Sequence, residues 1–150
     1  MQTFAAKGNV SIYIDAGHPG WRSASTMASR LVSAGVSMAQ GFSLNVSNFL
    51  LTSDNVTYGS EISALAGGKH FVVDTGRNGL GPTADYQWCN PAGRALGTKP
   101  TPSTGKAHGE GLLWTKRPGE RAGAGHARAG GGGVGRQGSP GGAGGGSPYA

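Results

Sequence analysis

The strongest constraint on the fold is an alternation of strand-like and helix-like segments along the chain. Residues 10–15, 41–49, 69–75 and 111–116 are rich in β-branched and aromatic residues, which predicts four strands. Segments with helical periodicity occupy two of the intervals between them. Strands that alternate with helices form parallel βαβ units, so we predict an α/β fold.

The first predicted helix spans residues 23–35 and begins at Ser23 or Ser25, either of which is a suitable N-cap. Gly35 provides its stop signal. Four apolar side chains recur at helical spacing and are predicted to form its buried face: Met27, Ala28, Leu31 and Val32.

The second predicted helix spans residues 52–68, with Ser53 or Asp54 as its N-cap. Two consecutive glycines at its end are typical of a helix terminus. Its predicted buried face consists of Tyr58, Ile62 and Leu65.

Between Thr75 and Gly111 the chain shows no convincing periodicity. A connection this long inside a compact domain is usually either functional or disordered. It contains polar and aromatic residues suited to ligand contacts, which favours a functional loop: Arg77, Asn78, Tyr86, Trp88 and Asn90.

Polar residues stand at the carboxyl end of each predicted strand: Asp15, Asn45, Asp74 and Lys116. Parallel α/β folds and barrels place binding and catalytic groups at these ends. Each residue taken alone is equally typical of a turn former that accepts backbone N–H groups. Their recurrence at four strand ends favours a shared site.

The three tryptophans suggest what this site would bind. Trp21 and Trp88 lie in predicted loops beside Gly, Pro and polar residues, whereas Trp114 lies in an apolar strand and is predicted to be core. Apolar faces of sugar rings stack on indole, and sugar hydroxyls bind carboxylates, amides and cations. This combination favours a carbohydrate ligand.

Other functional classes lack support in the sequence. There is no G-x-S-x-G elbow, no P-loop and no zinc-ligand spacing among the four histidines, so no cofactor or metal is predicted. Cys89 is the single cysteine, which excludes an internal disulfide. No apolar run is long enough for a membrane span, and residues 1–10 do not resemble a signal peptide.

The composition changes abruptly after Glu120. Residues 121–150 contain 13 glycines and no Ile, Leu, Phe or Trp, which predicts a disordered tail. Three of the 13 Lys and Arg residues lie there without any acidic residue, so half of the formal charge of +6 belongs to this tail. The basic charge is therefore weak support for a nucleic-acid partner, and none is predicted.

Five blocks in this order and spacing resemble glycoside hydrolase family 6, and most closely its actinobacterial endoglucanases: "YIDAGHPGW", "GFSLNVSNF", "VVDTGRNGLGP", "WCNPAGRALGTKPT" and "LLWTKRPGE". The resemblance runs from about Val10 to Glu120. It implies a distorted (β/α) barrel that hydrolyses β-1,4-glucan with inversion and needs no cofactor. Residues 1–120 would form the C-terminal half of the catalytic domain, and the partners would be glucan and the missing N-terminal half.

The resemblance also implies roles for individual residues. Asp15 and Asp74 match supporting carboxylates of the family's catalytic site. Seven further residues match substrate-binding positions of the family: His18, Trp21, Asn45, Arg77, Trp88, Lys116 and Glu120.

Two departures from the family pattern weaken the expectation of activity. Ala122 stands where the family carries its candidate base, and the general acid belongs to the first half of the barrel. A frameshift near codon 121 would account for the glycine-rich tail. A truncated cellulase with little activity of its own is therefore expected, with a non-catalytic glucan-binding remnant as the alternative. Relatives are secreted, but the chain shows no signal peptide, so its localisation is left open.

Overall fold

The computed structural model describes residue 3 and residues 8–120. Within them, four strands form one parallel sheet in the order β1-β2-β3-β4. The strands are Tyr13–Asp15 (β1), Gly41–Leu44 (β2), His70–Asp74 (β3) and Gly109–Leu113 (β4). The predicted α/β fold with parallel strands is confirmed. The predicted disorder of residues 121–150 and the substitution at Ala122 lie outside the described residues.

Helix α1 (Ala24–Ser33) connects β1 to β2 and is followed by a 3-10 turn at Val36–Met38. Ser23 is its N-cap, because its hydroxyl accepts a hydrogen bond from the Thr26 amide at 3.3 Å. Met27, Ala28 and Leu31 are buried as predicted, but Val32 is 58% exposed, so its assignment to this face was wrong. At 100° per residue, Val32 lies a quarter turn from the centre of the face formed by the other three.

Helix α2 (Thr52–Leu65) connects β2 to β3. The predicted cap at Ser53 or Asp54 is wrong, because Leu51 occupies the N-cap without a side-chain hydrogen bond. Buried asparagines fix the helix entry instead. The Asn55 amide donates to the Leu50 and Leu51 carbonyls at 3.2 and 2.9 Å, and the Asn78 amide donates to the Leu50 carbonyl at 2.9 Å.

The buried face of α2 differs from the prediction at one position. Tyr58 and Ile62 are buried, whereas Leu65 is 58% exposed. Leu65 is the last residue of the helix, and Ala66 immediately after it is buried in its place.

The main core lies between the two helices and one face of the sheet. Phe42 of β2 and Phe71 of β3 stack with their ring centroids 5.7 Å apart, and both are fully buried. Gly59 of α2 lies against the Phe71 ring so closely that a Cβ atom there would be 2.7 Å from it. Burial of each such side chain contributes about 1.5–3 kcal/mol, so this contact anchors α2 to the sheet.

The opposite face of the sheet is concave. The Tyr13 hydroxyl of β1 donates a hydrogen bond to Glu110 of β4, although β2 and β3 lie between these strands. Flat strands at about 4.8 Å spacing would separate β1 and β4 by roughly 14 Å, so this direct contact indicates that the sheet curves towards this face. The curved parallel sheet with helices on its outer face is a segment of the predicted barrel.

The fourth strand begins and ends earlier than predicted. Trp114 follows β4 instead of lying inside it, and it is half-buried, with its indole Nε1 donating to the Thr98 carbonyl at 3.0 Å. Its assignment to the core was therefore wrong. The connection before β4 contains no helix in the described part of the chain, and its one bridge pairs Thr101 with Leu112.

Candidate active site

The carboxyl ends of the four strands bring the predicted polar residues to one edge of the sheet. Asp15 ends β1, Asp74 ends β3, Asn45 directly follows β2, and Lys116 lies shortly after β4. The strand-end pattern predicts this placement because all four strands are parallel. The structure separates these residues into an open cleft and a buried network beside it.

The cleft has a volume of about 470 Å³ and is formed by three loops. The end of β1 contributes Asp15, and the loop after it contributes Gly17, His18 and Trp21. The loop after β2 contributes Asn48, Phe49 and Leu50, and the long connection contributes Pro82, Tyr86, Gln87 and Trp88. Four of the predicted site residues therefore share one cavity: Asp15, His18, Trp21 and Trp88.

Asp15 presents a carboxylate to this cleft. The residue is exposed, and its Oδ1 accepts a hydrogen bond from the Gly17 amide at 2.9 Å. This bond stabilises the turn that follows β1, in which Gly17 has a φ of 65°. Asp15 thus forms its own turn and also lines the cleft, so the two interpretations left open by the sequence are compatible.

His18 lies beside Asp15 and is half-buried. Burial lowers the pKa of His18 from its usual value of 6.5, and the nearby Asp15 carboxylate acts in the opposite direction without cancelling the effect. The imidazole is therefore neutral at neutral pH. A neutral imidazole both donates and accepts hydrogen bonds, as a sugar hydroxyl requires.

Trp21 and Trp88 supply the aromatic surface of the cleft. These residues are 53% and 54% exposed. The guanidinium carbons of Arg22 and Arg30 lie 5.7 and 6.0 Å from the Trp21 ring centroid, within the range of cation–π contact. The Trp21 ring is therefore held in place on the protein while much of its surface stays open to a ligand.

Asn45 lies outside the cleft and is fully buried. Its amide Nδ2 donates to the carbonyls of Leu50 and Asp74 at 3.1 and 3.0 Å, and its Oδ1 accepts from the Leu50 amide at 3.2 Å. Asn45 has a φ of 62° and Ser47 a φ of 61°, both in the left-handed region that non-glycine residues rarely occupy. The side chain of Asn45 therefore stabilises an unusual turn.

Asp74 is also buried, with 3% of its surface exposed. Its Oδ1 accepts from the Gly76 amide at 2.9 Å, and its Oδ2 accepts from the amides of Ser47 and Lys116 at 3.1 and 3.0 Å. These three amides belong to the loops after β3, β2 and β4. Both carboxylate oxygens of Asp74 are thus directed at backbone N–H groups, and the residue does not line the cleft.

Arg77 extends this buried network. Its Nη2 donates to the Ser47 carbonyl, and its Nη1 donates to the Glu120 carbonyl at 3.4 Å. The guanidinium carbon lies 4.5 Å from the centroid of the Phe49 ring, which itself lines the cleft. Arg77 therefore supports the cleft through Phe49 and the Ser47 turn.

Lys116 and Glu120 form an ion pair at 3.3 Å next to this network. Arg117 lies 3.4 Å from the same carboxylate. The hydrogen bond from Lys116 is the main cause of a lowered pKa at Glu120. Glu120 is therefore ionised throughout the neutral range.

Sequence reasoning did not single out several residues of the cleft. Phe49, Leu50, Pro82 and Gln87 all line it. Their identities are ordinary for loops and cores, and no motif distinguishes them. They lie close in sequence to "LNVSN" and "WCN", and this proximity could have indicated them. Loops adjacent to strand ends supply the lining of such sites.

Two other kinds of feature are absent from the described residues. Within them, no group of three His, Cys, Asp or Glu side chains is arranged to hold a metal ion. No helix in the same part of the chain is long and apolar enough to cross a membrane.

Open indole surfaces, a carboxylate and a neutral imidazole thus form the cleft of an α/β protein, at the carboxyl edge of its parallel sheet. The family model for "Glycosyl hydrolases family 6" matches residues 1–141, and the chain belongs to this family. The match continues past Glu120, where the recognisable blocks end.

Individual relatives agree with this assignment. Endoglucanase 1 of Streptomyces halstedii is 52% identical over 120 residues, which cover 77% of this chain and 36% of the relative. Endoglucanase A of Cellulomonas fimi is 49% identical over 113 residues, which cover 75% of this chain and 25% of the relative. The chain therefore spans about a quarter to a third of these curated relatives.

The fold is also similar to a solved structure of a family member. The endoglucanase Cel6 from Mycobacterium tuberculosis, in complex with methyl-cellobiosyl-4-deoxy-4-thio-β-D-cellobioside, matches with a TM-score of 0.77 and 52% sequence identity. The match covers 80% of this chain and 42% of that one. The likeness supports a partial barrel of the family 6 type.

Proposed function

We propose that residues 1–120 are the C-terminal half of a family 6 catalytic domain whose cleft binds a β-1,4-glucan. The observation that carries this proposal is the shared cleft of Trp21 and Trp88, with Asp15 and His18 in its lining. The endoglucanase Cel6 of Mycobacterium tuberculosis is bound to a thio-linked cello-oligosaccharide in its solved structure, which supports a glucan as the ligand here.

The residues divide into three roles in this proposal. Trp21 and Trp88 stack on glucosyl rings, while Asp15 and His18 bind hydroxyl groups. Asn45, Asp74 and Arg77 hold the loops that form the cleft. Lys116 and Glu120, which already form an ion pair, bind glucan hydroxyls from outside the lining of this cleft.

Hydrolysis with inversion needs two carboxyl groups about 6.5–9.5 Å apart, one protonated and one ionised. Among the described residues, Asp15 is the single carboxylate that lines the cleft. The proposed cellulase activity therefore requires the general acid of the N-terminal half of the barrel and a base at the position that Ala122 occupies. That half would cover the concave face of the sheet and pair with β1, whose one strand partner in the described part of the chain is β2.

The alternative is a glucan-binding remnant without catalytic activity. This alternative is favoured because Asp15 is the single carboxylate among the described residues that line the cleft. Binding and hydrolysis must therefore be measured separately.

The binding test is calorimetric titration of the 150-residue chain with cellotetraose. Stacking of nucleic-acid bases on aromatic side chains is worth roughly 1–3 kcal/mol per base. Taking the lower part of this range for a glucosyl ring, we expect Trp21→Ala and Trp88→Ala each to weaken sugar binding about tenfold. Trp114→Phe is the matched control because Trp114 lies outside the cleft. Unchanged affinity in both cleft variants would refute the assignment of this site.

The catalytic test is the release of reducing ends from carboxymethylcellulose. We expect negligible hydrolysis by this chain alone and measurable hydrolysis when the reading frame after Glu120 is restored and the N-terminal half of a family 6 domain is joined to the chain. Hydrolysis in the reconstituted sample supports a cellulase, whereas binding without hydrolysis in both samples supports the remnant. Robust turnover by the chain alone would contradict the requirement for a second carboxyl group.

A further inference from the structure

A buried carboxylate connects three loops behind the cleft. The Asp74 side chain accepts backbone N–H groups from Ser47, Gly76 and Lys116 at 3.1, 2.9 and 3.0 Å. A carboxylate is a pure acceptor with two oxygens, so it can satisfy several converging donors at once. A group that exchanges protons with a substrate must instead reach that substrate or its water, and Asp74 is 3% exposed.

The Ser47 loop depends on this carboxylate because its backbone is strained. Asn45 and Ser47 both have positive φ, and such residues cost about 1–3 kcal/mol each unless surrounding contacts determine them. Asp74 holds this turn through two hydrogen bonds. Its carboxylate accepts from the backbone N–H of Ser47, and its backbone carbonyl accepts from the side-chain amide of Asn45. Arg77 adds a hydrogen bond to the Ser47 carbonyl.

The same turn determines where two loops of the cleft lie. It leads directly into Asn48, Phe49 and Leu50, which line the cavity. The backbone N–H of Asn45 donates to the Gly17 carbonyl at 2.7 Å, which links the turn to the loop after β1. Trp21 rests on Gly17, so the chain of contacts from Asp74 ends at a ligand-facing indole.

We propose that Asp74 is a positioning residue that assembles the cleft by fixing the loops after β2, β3 and β4 against one another. Its contribution to glucan binding rests on the proposed function, whereas its role in holding the three loops does not. Asparagine cannot replace it, because one end of the amide group would direct N–H atoms at a backbone N–H donor.

The first measurement is amide hydrogen exchange on the 150-residue chain. In the wild type we expect slow exchange at Ser47, Gly76 and Lys116. In Asp74→Asn the amides that face the new side-chain NH₂ group, either Gly76 or the pair Ser47 and Lys116, should exchange at least about tenfold faster, while the Phe71–Val73 amides of β3 keep their wild-type rates. This local pattern distinguishes loop positioning from general destabilisation, which would accelerate exchange in β3 and α2 as well.

The second measurement is cellotetraose binding by calorimetry, at a temperature well below the unfolding midpoint of each variant. We expect Asp74→Asn to weaken binding about tenfold without changing its pH profile. Asp54→Asn is the matched control, because Asp54 is an exposed carboxylate in the first turn of α2 that contacts Ser53. This control should keep both its affinity and its exchange pattern.

Three results would overturn the proposal. The first is unprotected Ser47 and Lys116 amides in the wild type, which can be measured even if the variant does not fold. The second is an Asp74→Asn chain that keeps both amide protection and affinity. The third is loss of affinity with full amide protection, which would mean that Asp74 contacts the sugar. A wild-type chain that fails to bind cellotetraose would refute the proposed function, while the exchange data would still decide the role of Asp74.

Discussion

The indole of Trp21 rests on the backbone of Gly17, where a Cβ atom would be 2.6 Å from Trp21 Cε3. Gly17 also has a φ of 65°, and its carbonyl accepts a hydrogen bond from the backbone N–H of Asn45 at 2.7 Å. A side chain at this position would therefore disturb both the turn and the ring above it.

We predict that Gly17→Ala weakens cellotetraose binding about fivefold, because displacing the ring loses roughly 1 kcal/mol of stacking. Gly67→Ala is the control, since Gly67 has a φ of 73° but no atom within 4 Å of the place where a Cβ would lie. Both variants lose stability through the left-handed backbone, but only Gly17→Ala should lose affinity. Equal affinities in calorimetry would contradict the role of this contact.

The lowered pKa of His18 predicts a pH dependence of stability. Between this lowered pKa and 6.5, the unfolded chain binds more protons than the folded one. The free energy of unfolding should therefore fall as the pH drops below about 6.5 and level off below the folded pKa. Asp15→Asn should lower the pKa of His18 further, because the carboxylate opposes the effect of burial. NMR titration of the imidazole checks both statements, and a His18 pKa of 6.5 or higher in the wild type would disprove them.

The raised pKa of Tyr13 predicts that the free energy of unfolding falls as the pH rises in alkaline solution. Burial and the hydrogen bond to Glu110 raise the pKa of Tyr13 above its usual value of 10.0. This contribution to stability is complete below pH 10 and is lost as the pH rises towards the folded pKa. Burial also raises the pKa of Tyr58. Tyr13→Phe should therefore remove part of the loss of stability at alkaline pH and leave the part that depends on Tyr58. Urea unfolding between pH 9 and 11 measures this, and an unchanged slope in Tyr13→Phe would contradict it.

Gly59→Ala tests the contact between α2 and the sheet. Alanine favours a helix by about 1 kcal/mol over glycine, but its Cβ would approach the buried Phe71 ring to 2.7 Å. Overpacking costs about 1–3 kcal/mol, so we predict a net loss of stability. The double variant Gly59→Ala with Phe71→Leu should be more stable than the sum of the single changes predicts. Urea unfolding of all four chains gives the coupling energy, and strict additivity would show that the two positions do not interact.

Local patterns were sufficient to predict the fold. Alternating strands and helices, Ser23 as a cap and the buried face of Met27, Ala28 and Leu31 all depend on residues close in sequence. The errors arose where distant residues intervene. The Asn78 amide, from beyond β3, helps to fix the start of α2, so no hydroxyl cap is needed there.

The site was predictable as a set of residues but not as an arrangement. The sequence placed Asp15, His18, Trp21 and Trp88 at the strand ends and in the loops that form the cleft. It did not distinguish them from Asp74, whose amide donors Ser47 and Lys116 are 27 and 42 residues away along the chain. Which backbone groups a carboxylate meets at such separations is decided by packing, and no sequence periodicity encodes it.

The connection between β3 and β4 also bears on the order in which the molecule folds. The first two strand connections contain α1 and α2, which are stabilised by local contacts, whereas residues 75–108 contain no helix. Contacts across a long irregular segment form slowly, because closure entropy is lost before any contact is gained. We therefore expect β4 to join the sheet last, which brings the Lys116 amide to Asp74 only at that stage. A nascent chain would therefore form its first three strands and both helices before the loop after β4 closes on Asp74.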